Sequence, residues 1–115
     1  RLFSDIVGGG MSSRLFQEIR ERRGLVYSIY SFAHPFRDSG LFAVYAGTGE
    51  TEAAELVPVT LEELRRVQRD VTQEELNRAK AQLRAGLLMS LESTGSRTEQ
   101  LASQLRVHGR VIPVE

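Results

Sequence analysis

The order of apolar and polar positions divides the chain into a mixed first half and a helical second half. Leu2, Phe3, Ile6 and Val7 recur at helical spacing and predict the last turns of a helix. Gly8-Gly9-Gly10 interrupts it, and Ser12-Ser13 then opens a short helix with Leu15, Phe16 and Ile19 as its apolar stripe. On this reading Arg14, Glu18, Arg22 and Arg23 look outward. Ser12 or Ser13 accepts a bond from the first free N–H groups, and Gly24 caps the end. From Val26 to His34 the period changes to two. Tyr27, Ile29, Ser31 and Ala33 fall on one face, and Val26, Ser28, Tyr30 and Phe32 on the other. Pro35 ends the pairing, Arg37-Asp38-Ser39-Gly40 is a turn by composition, and Leu41 to Ala46 predicts a second, antiparallel strand. Two strands are marginal alone in water, so the hairpin is expected to join a larger sheet.

The second half reads as helices. Thr51 is placed to cap one whose apolar side is Ala53, Leu56, Val57, Leu61 and Leu64, with Pro58 expected to kink or split it. Thr72-Gln73-Glu74-Glu75 is a capping-box pattern ahead of Leu76, Ala79, Leu83, Leu87 and Leu91. From Gly86 onward this helix is apolar on most sides, which predicts deep burial. Ser93 to Gly95 interrupts it. Ser96-Arg97-Thr98-Glu99 is a second capping-box pattern, for a helix through Leu101, Ala102 and Leu105 that ends near Gly109. No repeat, low-complexity tract or linker divides residues 1–115. They read as a single α+β domain, part of a mainly antiparallel sheet with helices packed on one side.

GGGMSSRLFQEIRERRGLVYSIYS resembles the start of the C-terminal half of the pitrilysin-like (M16) zinc peptidases. The subgroup it resembles most is the bacterial processing-peptidase type, related to mitochondrial processing peptidase and the bc1 core proteins. The likeness continues through HPFRDSGLFAVYAGTG and ELNRAKAQL to SLESTGSRTEQLASQL, nearly the whole chain. It implies the C-terminal half of a zinc-dependent metalloendopeptidase that hydrolyses peptide bonds. It also implies an N-terminal domain or partner subunit, a dimer, and a peptide substrate held extended in a chamber between halves. The alternative within the family is a non-catalytic subunit or a structural, core-protein-like partner. The chain begins at Arg1 without a methionine and is expected to be a fragment.

Composition narrows the alternatives. Fifteen basic and 15 acidic residues cancel, so no basic surface draws the chain to nucleic acid. There is no cysteine, which excludes disulfides and thiolate metal ligands. No apolar run reaches membrane length, and a cytoplasmic location away from membranes is the expectation. The only histidines, His34 and His108, lie far apart without an inverted His-x-x-Glu-His motif around either, so no metal ligand is assigned here. The resemblance puts the zinc motif in the N-terminal half, so zinc is expected in the complete enzyme and no cofactor in this chain.

The resemblance also implies two catalytic residues, Arg20 and Tyr27, which match an arginine and a tyrosine seven residues apart that reach across to the metal site. Negative charge builds on the oxygen of an attacked peptide carbonyl, where a phenol O–H and a guanidinium are suitable donors. Periodicity alone does not separate Arg20 from Arg14, Arg22 or Arg23, and Tyr27 equally fits a half-buried sheet aromatic, as do Tyr30 and Tyr45. Gly8, Gly9 and Gly10 have two readings. They are a helix breaker with a close backbone approach. By resemblance they are a substrate-binding loop, shorter here than the glycine-rich loop of the mitochondrial enzyme's non-catalytic subunit. No Gly-Lys-Ser/Thr follows, so this is no phosphate loop.

Overall fold

A computed structural model describes residues 1–113. In order it contains helix α1 (Leu2–Gly8), a π-helix (Phe16–Arg22), strands β1 (Ser28–Pro35) and β2 (Gly40–Gly47), and helices α2 (Ala53–Asp70), α3 (Gln73–Ser90) and α4 (Thr94–His108). The chain forms two units, Arg1–Lys80 and Ala81–Glu115.

In the first unit β1 and β2 pair antiparallel, Ser28 opposite Gly47 and Pro35 opposite Gly40. The Phe36 N–H donates to the Ser39 carbonyl at 2.8 Å and closes the turn. The expected alternation holds from Ser28 to Ser31, where Ile29 and Ser31 are buried and Ser28 and Tyr30 exposed. It fails at both ends: Val26 is buried and Tyr27 exposed ahead of the strand, and Ala33 is exposed on the face expected to be covered. On the open face Tyr30 and Tyr45 sit opposite each other and stack with centroids 5.0 Å apart, a geometry that stabilises cross-strand pairs. On the covered face α1 lies against β1. The Ser31 hydroxyl donates to the Ser4 carbonyl at 2.8 Å, so both buried serines are satisfied. The core of this unit joins Val7 of α1, Leu15 and Ile19 of the π-helix region, Ile29 of β1, Leu56, Val59 and Val67 of α2, and Ala79 of α3. Leu15 and Ile19 are fully buried, each worth about 1.5–3 kcal/mol relative to exposure.

Helix α2 departs from expectation in three ways. Its N-cap is Glu52, not Thr51, and the helix runs through Pro58 without being split. Both Pro58 and Ala54, whose carbonyl loses a partner to the proline, are exposed, so water can serve that carbonyl. The buried side is Leu56, Val59, Glu63 and Val67; Ala53, Val57 and Leu61 are exposed. A glutamate in the seam conceals it from a hydrophobic count. The Glu63 carboxylate is tolerated because Arg66 Nη1 donates to it at 2.7 Å.

The capping box at α3 forms as read: the Glu75 N–H donates to the Thr72 hydroxyl at 3.2 Å, and the Thr72 N–H donates back to Glu75 at 2.8 Å. The expected deep burial beyond Gly86 does not appear among the described residues, where Leu87, Leu88 and Met89 are exposed. An all-round apolar segment signals faces that favour cover, and not which part of a protein covers them. The second box is overturned. Ser93, in extended conformation, caps α4 by accepting from the Ser96 N–H at 3.3 Å, so the helix starts one turn before the Ser96-Glu99 pattern. Gly109, with φ of 67°, ends α4 as expected.

Candidate active-site contribution

The segment between α1 and β1 is wound more widely than an α-helix. Its bonds run i to i+5 over Phe16–Arg22, a geometry frequent at functional sites. Glu18 shows the consequence. It accepts from Arg22, four residues on, at 2.9 Å and from Arg23, five residues on, at 3.2 Å. Burial pushes the Glu18 carboxyl up, but the bonds from Arg23 and Arg22 outweigh it and hold the group below the usual carboxylate range. Neither expected serine cap forms: the Ser13 hydroxyl donates back to the Gly10 carbonyl at 2.6 Å, and no side chain caps the π-helix. At the other end Gly24 adopts φ of 64°, where a side chain is disfavoured, and the Leu25 N–H donates to the Ile19 carbonyl at 3.0 Å.

This winding brings Arg20 to Tyr27. Arg20 Nε donates to the Tyr27 carbonyl at 3.1 Å and Nη1 to Glu21 at 3.3 Å. The guanidinium carbon stands 4.8 Å from the centre of the Phe16 ring. Tyr27 is tied to the hairpin through its N–H, which donates to the Gly47 carbonyl at 2.8 Å. Its side chain is left open, the residue being 80% exposed, so it is not a half-buried sheet aromatic; Tyr30 and Tyr45, expected to be half-buried, are exposed as well. Among the described residues no hydrogen bond uses Arg20 Nη2. A guanidinium with one nitrogen unengaged by any described residue is thus tied to the backbone of an exposed tyrosine; both side chains are donors of the type a carbonyl oxygen can accept from.

Arg14 does not look outward. Its guanidinium donates to Glu75 through Nε at 2.6 Å and Nη2 at 2.8 Å, to the Asp70 carboxylate through Nη1, and to the Asp70 carbonyl at 2.8 Å. The Glu75 bonds, with Asp70 adding, outweigh burial and push the Arg14 pKa further above its already high range. The bond from Arg14, helped by Thr72 against burial, holds the Glu75 carboxyl down to about 2. This fork fastens the start of the π-helix to the α2–α3 joint, beside a polar cavity of about 290 Å³ that Gln17, Glu18 and Glu63 also line. The spare valence of these charges is spent on one another, and the arrangement is structural. Nothing in the apolar periodicity marks Arg14, because its partners are 56 and 61 residues away.

The glycine run separates into unlike positions. Gly8 is buried, and a Cβ there would overlap the backbone nitrogen and side chain of Ser31. A Cβ on Gly9 would overlap the Asp5 backbone, while Gly10 is open. None of the three uses a positive φ. Gly8→Ala should therefore destabilise the protein by about 1–3 kcal/mol, as overpacking does. Gly10→Ala should shift the thermal midpoint little. A denaturation scan in which both behave alike would contradict the close approach of α1 to β1.

The described residues do not fit a zinc centre. No group of three or more His, Asp or Glu able to hold a metal occurs among the described residues. His34 packs its ring 5.3 Å from Phe32 at the exposed end of β1, and His108 is the last residue of α4.

Comparison with known proteins gives the family. The profile of the peptidase M16 inactive domain matches residues 1–83. A protein of Rickettsia bellii named an uncharacterized zinc protease is 40% identical over 115 residues, covering 100% of this chain and 28% of its own length. The Bacillus subtilis uncharacterized zinc protease YmxG is 42% identical over 97 residues, covering 84% of this chain and 24% of its own. Among solved structures, a peptidase M16 inactive domain from Pseudomonas fluorescens superposes with a TM-score of 0.79 at 30% identity, over 90% of this chain and 25% of that one. A conserved protein from Enterococcus faecalis V583 gives 0.82 at 21% identity, over 97% of this chain and 26% of that one, a likeness of fold. This chain thus spans about a quarter of the length of the relatives it matches. On the profile match and the identity of its relatives, it belongs to the peptidase M16 family as part of the inactive domain.

Proposed function

We propose that this domain is the part of a zinc-dependent endopeptidase that carries no metal, lending Arg20 and Tyr27 to a catalytic centre held on another domain or subunit. Zinc, held by residues outside the described ones, would supply activation of the attacking water in the complete enzyme. Tyr27 donates its phenol hydrogen to the oxygen of the peptide carbonyl under attack, and Arg20 holds or steadies the same oxygen through its free nitrogen. The observation that carries this reading is the link itself: the Arg20 guanidinium is anchored to the backbone carbonyl of Tyr27, a residue that is 80% exposed. The names of the zinc-protease relatives support the same reaction class.

The test is peptide cleavage by this domain joined to its metal-bearing partner. Tyr27→Phe removes one donor and is expected to lower kcat by about 10²-fold with metal content unchanged. Wild-type turnover in that variant, or cleavage by the partner alone at the full rate, favours the non-catalytic, structural subunit instead.

A further inference from the structure

We infer that Phe16 is a positioning residue for Arg20, its ring face acting as the electrostatic platform that fixes the guanidinium at the Tyr27 carbonyl. The inference rests on the proposed function and adds to it a residue that does not itself touch substrate. Three contacts define where the Arg20 head lies: the Tyr27 carbonyl at 3.1 Å, the Glu21 carboxylate at 3.3 Å and the Phe16 ring at 4.8 Å. The first two engage Nε and Nη1 at the edge of the planar fork. Hydrogen bonds at one edge leave the plane free to swing about them, whereas a ring against its carbon restrains the plane. The negative face of an aromatic ring attracts a guanidinium within about 6 Å.

The ring is itself held. Phe16 is half-buried and packs against the core that contains the fully buried neighbours Leu15 and Ile19. The long stem of an arginine gives up much rotamer freedom when it is fixed. A platform built on the same helix one turn earlier lowers that cost before substrate arrives. Arg20 then presents Nη2, which no other described residue engages.

A fluorination series separates this role from packing. Incorporating phenylalanine with one, two and three ring fluorines at position 16 of the complete enzyme weakens the ring's negative face at nearly constant shape. Peptide-cleavage kcat is expected to fall stepwise, by about tenfold across the series, with KM and the thermal midpoint little changed. In an Arg20→Ala background the same series should be flat, because the residue acted upon is gone. A flat series in the Arg20 enzyme, or an equal decline in both backgrounds, overturns the inference. If Arg20→Ala itself cleaves at the wild-type rate, the proposed function fails with it. A slowed Arg20→Ala enzyme with a flat Phe16 series removes this inference alone.

Discussion

Arg20→Ala is expected to lower kcat/KM for peptide cleavage in the complete enzyme by about 10²–10³-fold. Metal content and thermal midpoint should stay close to wild type. The size follows from the position of the charge, which is worth most where a carbonyl oxygen gains negative charge in a site closed to water. The small structural effect follows from the contacts given up. Arg20 is 41% exposed along its side chain, its pairing with Glu21 is a surface one, and its bond to the Tyr27 carbonyl leaves an acceptor that water can reach. Arg20→Lys should recover only part of the rate, since an ammonium is a point charge without the planar fork. The check is a steady-state comparison of the three proteins with metal assayed in each. A large fall in midpoint alongside the rate would mean that Arg20 holds the fold and not the substrate.

Arg14→Ala should produce the largest stability loss of any charged residue named here, about 2–4 kcal/mol. Removing it leaves Glu75 and Asp70 facing each other across a partly buried joint, without the fork that both carboxylates accept from. The pH dependence carries a sign that identifies the pair. Glu75 falls from its ordinary 4.5 to about 2 in the folded protein, so the unfolded chain binds the proton more tightly. Its contribution is fully present above pH 4.5 and is lost as pH drops through about 2. Allowing for solvent screening, that contribution is about 1–2 kcal/mol. Urea midpoints taken at about pH 6 and about pH 3 should therefore fall in the wild type and fall less in Arg14→Ala. Equal declines in the two proteins would show that Glu75 is held down by something other than Arg14.

What could be read from the chain follows from how local each determinant is. The β-hairpin was legible because alternation and a turn sit within twenty residues of sequence, and its register places Tyr30 against Tyr45 as two exposed aromatics. The Thr72–Glu75 capping box and the Gly24 reversal were legible for the same reason. The π-winding was not, because an i to i+5 stripe over seven residues leaves the same apolar positions as an α-helix; only Glu18 bonding Arg23 betrays it. The buried face of α2 was hidden by Glu63, and the inward turn of Arg14 by partners that approach only once α2 and α3 are folded. Of the candidate site, Arg20 and Tyr27 came from the family resemblance and not from spacing. The structure links the two through the Tyr27 backbone carbonyl. Gly8 is better understood as the point where α1 meets Ser31 than as part of a loop open to a ligand, while Gly10 alone of the three has open space around it.

The most direct measurement is a structure of the complete enzyme holding an uncleaved peptide. The account predicts Arg20 Nη2 and the Tyr27 hydroxyl oxygen within about 3 Å of the carbonyl oxygen of the bond to be cut. The two side chains turned away from a well-ordered peptide, with the carbonyl served by other donors, would contradict it.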